Sequence, residues 1–365
     1  MKINFIDIRR QYERYQPEID AQIRSVLNDA AFIMGKQVAQ LELQLAAYTG
    51  AKHAIACASG TDALQLVLMA YGIKPGDEII TTPFTFIATA EIISLLGAKP
   101  VFVDIRNDTF NIDPLKIAKA IGPKTRGIIA VDIFGQCADY EEINRIAKEH
   151  GLFVIEDAAQ SFGAQYKGKM ACSLADVGCT SFFPAKPLGC YGDGGMMFTD
   201  DETTAMVLRS LRGHGAGGHK YEHVRIGMNS RLDTLQAGVL LAKFKHFPEE
   251  IKLRNNIADY YSQALKETGV TPVVLGSNLC VYAQYNLVVK NREAIQKRLQ
   301  ENQIPTAIYY PKPLHLQPAY ADLGHKNDDF PVAEYVCGHI LALPMHAFLT
   351  REEQDHIIAN VRSAS

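Results

Sequence analysis

The chain has 365 residues, 47% hydrophobic and 21% charged, with a formal net charge of -3. That length supports a large core and two domains, and the charge leaves no overall basic field for nucleic acid. The seven cysteines (57, 137, 172, 179, 190, 280 and 337) form no Cys-x-x-Cys pair and read as reduced thiols, neither a disulfide framework nor a zinc site.

The opening segment from Met1 to Arg10 reaches charge too soon for a signal peptide. No apolar run is long enough to span a bilayer, so a cytoplasmic protein without a membrane or nucleic-acid partner is expected. Residues 12–48 read as helices with a break near Met34-Gly35. Beyond them, strands are predicted over His53–Cys57, Glu78–Thr81, Pro100–Asp104, Gly127–Asp132, Leu152–Glu156, Val177–Phe182 and Gly195–Thr199. Helical stretches near 62–72, 86–96, 114–121, 139–150 and 201–211 separate many of them. Seven strands with interleaved helices predict a large α/β domain over 1–240, layered around a mostly parallel sheet. The pattern then changes. Thr234–Thr268 is helix-rich and read as a long helix bridging two domains. Val281–Val289 and Thr306–Tyr310 look like strands, and Arg292–Asn302, Pro331–Leu341 and Arg351–Arg362 look like helices. These predict a smaller α+β domain over 241–365.

Several strand ends carry chemistry. Ser59-Gly60-Thr61-Asp62 opens a helix after the first strand. Its free amides suit a phosphate, Gly60 allows close backbone approach, and Thr61 adds a hydroxyl; an ordinary helix cap explains the run equally well. Phe86 offers a flat ring for a flat ligand, or a core side chain. Asp157 ends an almost wholly apolar strand, where ligands of open α/β sheets gather, and alternation turns Glu156 to the other face. Gln160 follows three residues later. Ser181 and Lys186 flank Phe182-Phe183-Pro184, ahead of Gly192-Asp193-Gly194-Gly195. An amine in a turn after an apolar strand, with an acid and an amide on an earlier strand end, suits an aldehyde cofactor. Lys186 would form a Schiff base with it, and Asp157 would keep a pyridinium nitrogen protonated, as pyridoxal 5′-phosphate requires. Gln160 would donate to the phenolate oxygen and Ser181 would reach the phosphate. Lys186 would also shuttle a proton, which needs a neutral amine and hence a desolvated site. The cation-rich run from Arg209 to Arg231 suits an anionic substrate or is a solvated loop. His214, His219 and His223 within it are given no metal.

These motifs, with Phe84 to Glu91, Asn229 to Gln236 and Leu343 to His346, resemble the DegT/DnrJ/EryC1/StrS family of nucleotide-sugar aminotransferases over nearly the whole chain. The resemblance implies the aspartate aminotransferase fold (fold type I) and a homodimer with shared active sites. It makes Lys186 the catalytic lysine and Gly60, Thr61, Phe86, Asp157, Gln160 and Ser181 cofactor contacts. Asn229, reaching the phosphate, and Arg231, facing the substrate, would come from the partner subunit. It places sugar contacts at Tyr309 and Tyr310, where many relatives read His-Tyr-Pro. Glutamate would be the donor and a keto sugar on a nucleotide the acceptor. Local matches such as Gly135 to Asp139 point to the subgroup acting at C3 of UDP-2-acetamido-2-deoxy-3-oxo-glucuronate, an O-antigen precursor. C4 amination of a UDP- or dTDP-4-keto-hexose is the alternative, and a cofactor-bound sensor is one of another class. A branch with histidine for the lysine dehydrates its substrate, and Lys186 argues against that.

Overall fold

The computed structural model describes residues 3–219, 221–276 and 278–364. Helix α1 (Ile8–Asp29) starts where the Asp7 side chain accepts from the Arg10 amide, and stops at Ala30 in the left-handed region. Helix α2 (Lys36–Thr49) follows. The break between them holds Gly35, whose missing Cβ would lie 2.6 Å from the Ala31 carbonyl oxygen and 2.7 Å from Thr234 Cγ2. The alternating part runs β1 (His53–Cys57), α3 (Gly60–Ala70), β2 (Glu78–Thr81), α4 (Ala88–Leu95), β3 (Lys99–Phe102), α5 (Pro114–Ala120), β4 (Thr125–Val131), α6 (Tyr140–His150) and β5 (Phe153–Asp157). A short hairpin, β6 (Gln165–Tyr166) with β7 (Lys169–Met170), precedes β8 (Val177–Ser181), β9 (Gly195–Thr199) and α7 (Glu202–Leu211).

Seven of these strands form one sheet in the order β1-β9-β8-β5-β4-β2-β3, and only β9 runs antiparallel to its neighbours. The strands read as continuous apolar runs because helices cover both faces. β5 lies centrally, with Asp157 level with Val131 of β4 and Cys179 of β8. The carboxyl ends of the parallel strands therefore converge beside Asp157. The seven predicted strands of this sheet match to within two residues at each end, whereas the one predicted over Val281–Val289 is shorter, Tyr285–Val288. All seven cysteines are buried and unpaired.

The predicted long helix is two: α8 (Thr234–Phe244) and α9 (Phe247–Leu265). Pro248 in the first turn of α9 suits a new helix start but not a helix interior. Then come β10 (Tyr285–Val288), α10 (Arg292–Glu301), α11 (Pro331–His339), β11 (Ile340–Leu343) and α12 (Arg351–Arg362). Strands β10 and β11 pair antiparallel. The helix expected to reach Leu341 ends at His339, because the apolar run Ile340–Leu343 serves as a fully buried strand. The strand expected over Thr306–Tyr310 is absent. Only Ala307 bridges to Ala342; prolines flank the run, and its two tyrosines pack against the rings of Phe5, Phe84 and Phe86 instead. A separate apolar cluster forms here from Ile257, Tyr261, Leu287, Leu299, Leu343 and Ile357. Ile3 belongs to it, and the Met345 amide donates to the Phe5 carbonyl at 3.1 Å.

Alternation along β5 sends its two acids to opposite faces. Glu156 accepts from the amides of Cys172 at 2.6 Å and Leu174 at 3.0 Å. Within 4.8 Å of it lies Asp132, which accepts from the Ala138 amide at 2.8 Å, the Tyr140 hydroxyl at 2.9 Å and the Ser161 hydroxyl at 2.7 Å. Both acids are fully buried, and neither makes an ion pair among the described residues. Burial pushes both carboxyls up; the negative charge of Asp132 raises Glu156 further, while hydrogen bonds to Ala138, Ser161 and Tyr140 oppose the shift at Asp132. The pair thus retains a proton where an unfolded chain has lost it, so its contribution to stability is full at acid pH and fades as pH rises past the ordinary carboxylate range. Thermal melts across neutral pH are expected to show this decline. Asp132→Asn, which keeps the packing and removes one titrating group, should flatten it; an unchanged slope would show that the pair does not hold the proton.

Candidate active site

The site is assembled at the carboxyl ends of β1, β5 and β8. Helix α3 begins just after β1, capped by Ser59, whose hydroxyl accepts from the Asp62 amide at 3.0 Å. The amides of Gly60 and Thr61 take no acceptor among the described residues. A Cβ on Gly60 would sit 2.7 Å from Ser181 Cβ, and one on Gly195 would sit 2.3 Å from the Ser59 carbonyl oxygen. Bare backbone is what lets β8 and β9 close against the helix start. The result is a cradle of free N–H groups and the Ser181 hydroxyl, suited to an anion such as phosphate. The Ser181 oxygen already accepts from the Phe183 amide at 3.3 Å, and its own proton remains free to be donated.

Asp157 is 5% exposed. Its Oδ2 accepts from the Thr89 hydroxyl at 2.7 Å and its Oδ1 from the Ala159 amide at 3.2 Å. Burial raises its pKa, with Thr89, Ala159 and the Lys186 charge opposing. Lys186 lies in the turn after β8, and its side chain makes no hydrogen bond or ion pair among the described residues. Burial pulls its ammonium down to about 8, and the Asp157 charge acts the other way. A buried acid and a half-buried amine thus share one electrostatic field without a hydrogen bond between them. Gln160 Oε1 accepts from the Phe134 amide at 2.9 Å, which fixes the amide and leaves Nε2 as a donor beside the Tyr310 hydroxyl at 3.3 Å. The Phe86 ring is 55% exposed, tilted 37° to the Tyr310 ring with centres 6.3 Å apart. It stands ahead of α4, outside any helix. An exposed flat ring, an acid, an amine and an anion cradle together make a donor set that fits a pyridoxal phosphate.

Tyr310 sits among these residues and not on an outer rim, and burial raises its phenol. Tyr309 is half-buried against Phe5. Asn229 is exposed, and its backbone bridges Gly213. Arg231 is half-buried with Nε taking no acceptor. The cationic run is not uniformly solvated. Arg212 is 6% exposed, donating to Glu42 and to the Ala56 carbonyl at 2.7 Å, so it serves the fold. Ala216 bridges His223, folding the run on itself; Lys220 lies outside the described residues. Sequence reasoning missed Thr89 and the Phe134 amide. Thr89 lies in a helix read only for its period, and a backbone donor leaves no side-chain signal.

A sequence model of the DegT/DnrJ/EryC1/StrS aminotransferase family matches residues 13–362. The chain is 51% identical over 348 residues to the UDP-2-acetamido-2-deoxy-3-oxo-D-glucuronate aminotransferase of Pseudomonas aeruginosa, covering 95% of this chain and 96% of that one. It is 45% identical over 365 residues to the pleiotropic regulatory protein of Geobacillus stearothermophilus, covering 99% and 98%. The crystal structure of NtdA from Bacillus subtilis with bound cofactor PMP superposes with a TM-score of 0.93 at 31% identity, covering 100% of this chain and 85% of that one.

The site generates a measurable expectation in cofactor-free protein. Competitive acylation should titrate Lys186 with a midpoint near 8, well below an ordinary lysine. Asp157→Asn should lower the midpoint further, since the carboxylate favours the ammonium. A midpoint in the usual lysine range would show a solvated amine.

Proposed function

Because the chain belongs to the DegT/DnrJ/EryC1/StrS aminotransferase family, we propose that it carries the amino group of glutamate, by way of pyridoxal 5′-phosphate, to the C3 ketone of UDP-2-acetamido-2-deoxy-3-oxo-glucuronate. Its fold is that of the pyridoxal-phosphate aminotransferases of fold type I. The observation that carries the reading is Lys186: a half-buried amine whose side chain has no partner among the described residues, its ammonium pulled down to about 8 by desolvation in the field of the buried Asp157. When bound, the cofactor supplies an electron sink for the carbon that loses or gains a proton.

The chain's own residues do the rest. Lys186 in its neutral form takes the proton from the amino-acid carbon in one half-reaction and returns one in the other. Asp157 holds the ring nitrogen protonated, and the positive charge there offsets the cost of burying its carboxylate. Thr89 and Ala159 aim it. The first turn of α3 and Ser181 bind the phosphate, Gln160 donates to the ring's oxygen, and Phe86 covers one face. In the first half glutamate leaves as 2-oxoglutarate; in the second the ketone leaves as an amine, so the amino group is conserved.

We further propose a homodimer in which Asn229 and Arg231 act in the neighbour's site. What supports it is the unpartnered Arg231 Nε and two sets of exposed apolar side chains, Phe32, Ile33 and Met34 on the turn between α1 and α2, and Val224 and Ile226 within the cationic run. The Thr234 amide donates to the Phe32 carbonyl at 2.9 Å, so that turn lies beside the Asn229–Asp233 segment. The product would feed O-antigen synthesis in the cytoplasm; no helix of the described residues is long and apolar enough to cross a membrane. C4 amination of a neutral keto-hexose is the nearer alternative. A regulatory or sensor role has two relatives' names in its favour, and turnover decides against or for it.

Borohydride reduction of the loaded protein should leave the cofactor mass on the peptide containing Lys186, and Lys186→Ala should abolish turnover; full turnover in that variant would overturn the assignment. With glutamate and a panel of keto-sugar nucleotides, the uronate should exceed the matching neutral hexose by about tenfold to a hundredfold in kcat/KM, since one charge-assisted contact is worth roughly 1.5–3 kcal/mol. Equal turnover of a neutral 4-keto sugar would favour C4 amination. Mixing inactive Lys186→Ala and Arg231→Ala chains should restore part of the activity through hybrid dimers; no rescue, with subunit exchange demonstrated, would place both residues in one chain's site.

A further inference from the structure

The turn that carries Lys186 is closed on itself. The Lys186 amide donates to the Phe183 carbonyl and the Cys190 amide to the Phe182 carbonyl, both at 2.8 Å. A Cβ on Gly189 would lie 2.6 Å from the Pro184 carbonyl oxygen and 2.7 Å from that of Phe183. Outside support for its end comes from one helix. Gln236 of α8 accepts from the Tyr191 amide at 2.8 Å and donates to the Tyr191 carbonyl at 3.4 Å. Seven residues on, two helical turns along the same face, Lys243 donates from Nζ to the Gly189 carbonyl and lies 5.1 Å from the centre of the Tyr191 ring.

Lys243 is 2% exposed, and no carboxylate pairs with it among the described residues. Glu250 contributes charge from α9 but holds Gln11, at 2.9 Å from each carboxylate oxygen. Arg254 on the same helix opposes a cation here, and the Cys190 thiol faces it from the turn. Burial pulls the Lys243 ammonium down to about 8, with Glu250 acting the other way. A buried ammonium that only a carbonyl and a ring receive is a poor source of stability; apolar side chains of similar size often replace such groups without loss. What it supplies is a fixed point three residues from Lys186.

We propose that Lys243 is a positioning residue for the reaction: by holding the Gly189 carbonyl against α8 it fixes where the Lys186 amine stands relative to Asp157. This rests on the reading of Lys186 as the cofactor-binding lysine. Lys243 touches neither cofactor nor substrate in this scheme.

The test compares wild type with Lys243→Met, which keeps the stem and removes the donor. In the loaded enzyme, the visible band of the Lys186-bound cofactor should titrate with its midpoint moved by about half a pH unit or more. The kcat should fall about tenfold to a hundredfold, as small misplacements of reacting groups do, while KM for both substrates stays within about twofold. The amides of Lys186 and Cys190 should exchange hydrogen faster, and Lys243→Arg should restore the midpoint. A folded Lys243→Met enzyme with the wild-type midpoint and kcat, and only a lower Tm, would overturn the proposal. Should that variant not fold, Lys243→Leu, which also removes the donor, is read by the same criteria. Borohydride labelling separates the two failures. Cofactor on another residue in wild type overturns the functional reading, whereas labelling of Lys186 in both proteins with an unmoved midpoint overturns only this one. Amide exchange reads the turn without any cofactor, so unchanged exchange overturns the proposal in either case.

Discussion

The burial of an acid and an amine on one rim of the sheet is the constraint around which this molecule is built. Water would hold the Asp157 carboxyl and the Lys186 amine in their charged forms; its removal pushes the first up and the second down. Neither group has a full ionic partner among the described residues. Both must therefore be held by geometry: Asp157 by Thr89 and the Ala159 amide, Lys186 by a turn whose backbone bonds close on themselves. The central place of β5 and the bare glycines that admit β8 and β9 to the start of α3 bring these groups to that one rim. A cofactor with a carbonyl at one end, a basic ring nitrogen at the other and a phosphate between the strand ends would meet each of these unmet groups.

How much of this could be read from the chain depends on whether the signal was local. The seven sheet strands were legible because each is a short apolar run bounded by polar or turn residues, and Asp157 and Lys186 were legible because each breaks such a run at its end. Gly60 and Ser181 were read as separate phosphate candidates; only the fold shows that they touch. Thr306–Tyr310 misled because alternation suggests a strand, whereas ring packing claims both tyrosines. Lys243 was invisible for a different reason. A lysine in an amphipathic helix reads as solvated, and its burial follows from which helix lies across it. Arg212 likewise looked like one cation of a solvated run and is bound to Glu42 and Ala56 beneath it.

The two cationic segments near the site divide their work accordingly. Arg212 is consumed by the fold, while Arg231 keeps a buried Nε without an acceptor. Under the proposed function, substrate discrimination would rest on few groups, borne on loops whose changes leave the sheet untouched. That separation fits a family in which relatives named for sugar acids and for neutral deoxysugars share one architecture with this chain.

The segment from Ile3 to Phe5 is packed into the cluster built from α9, β10, β11 and α12, and its carbonyl receives the Met345 amide. This contact joins stretches about as far apart in sequence as the chain allows. During synthesis on a ribosome, Ile3 and the Phe5 carbonyl must stay unsatisfied until the stretch around Met345 has been made. The sheet domain can form around it earlier, since β1 to β9 need nothing beyond residue 199 for their pairing. Completion of the second core thus comes after the sheet in the order of synthesis, and it is the step that draws Ile3 and Phe5 to Met345.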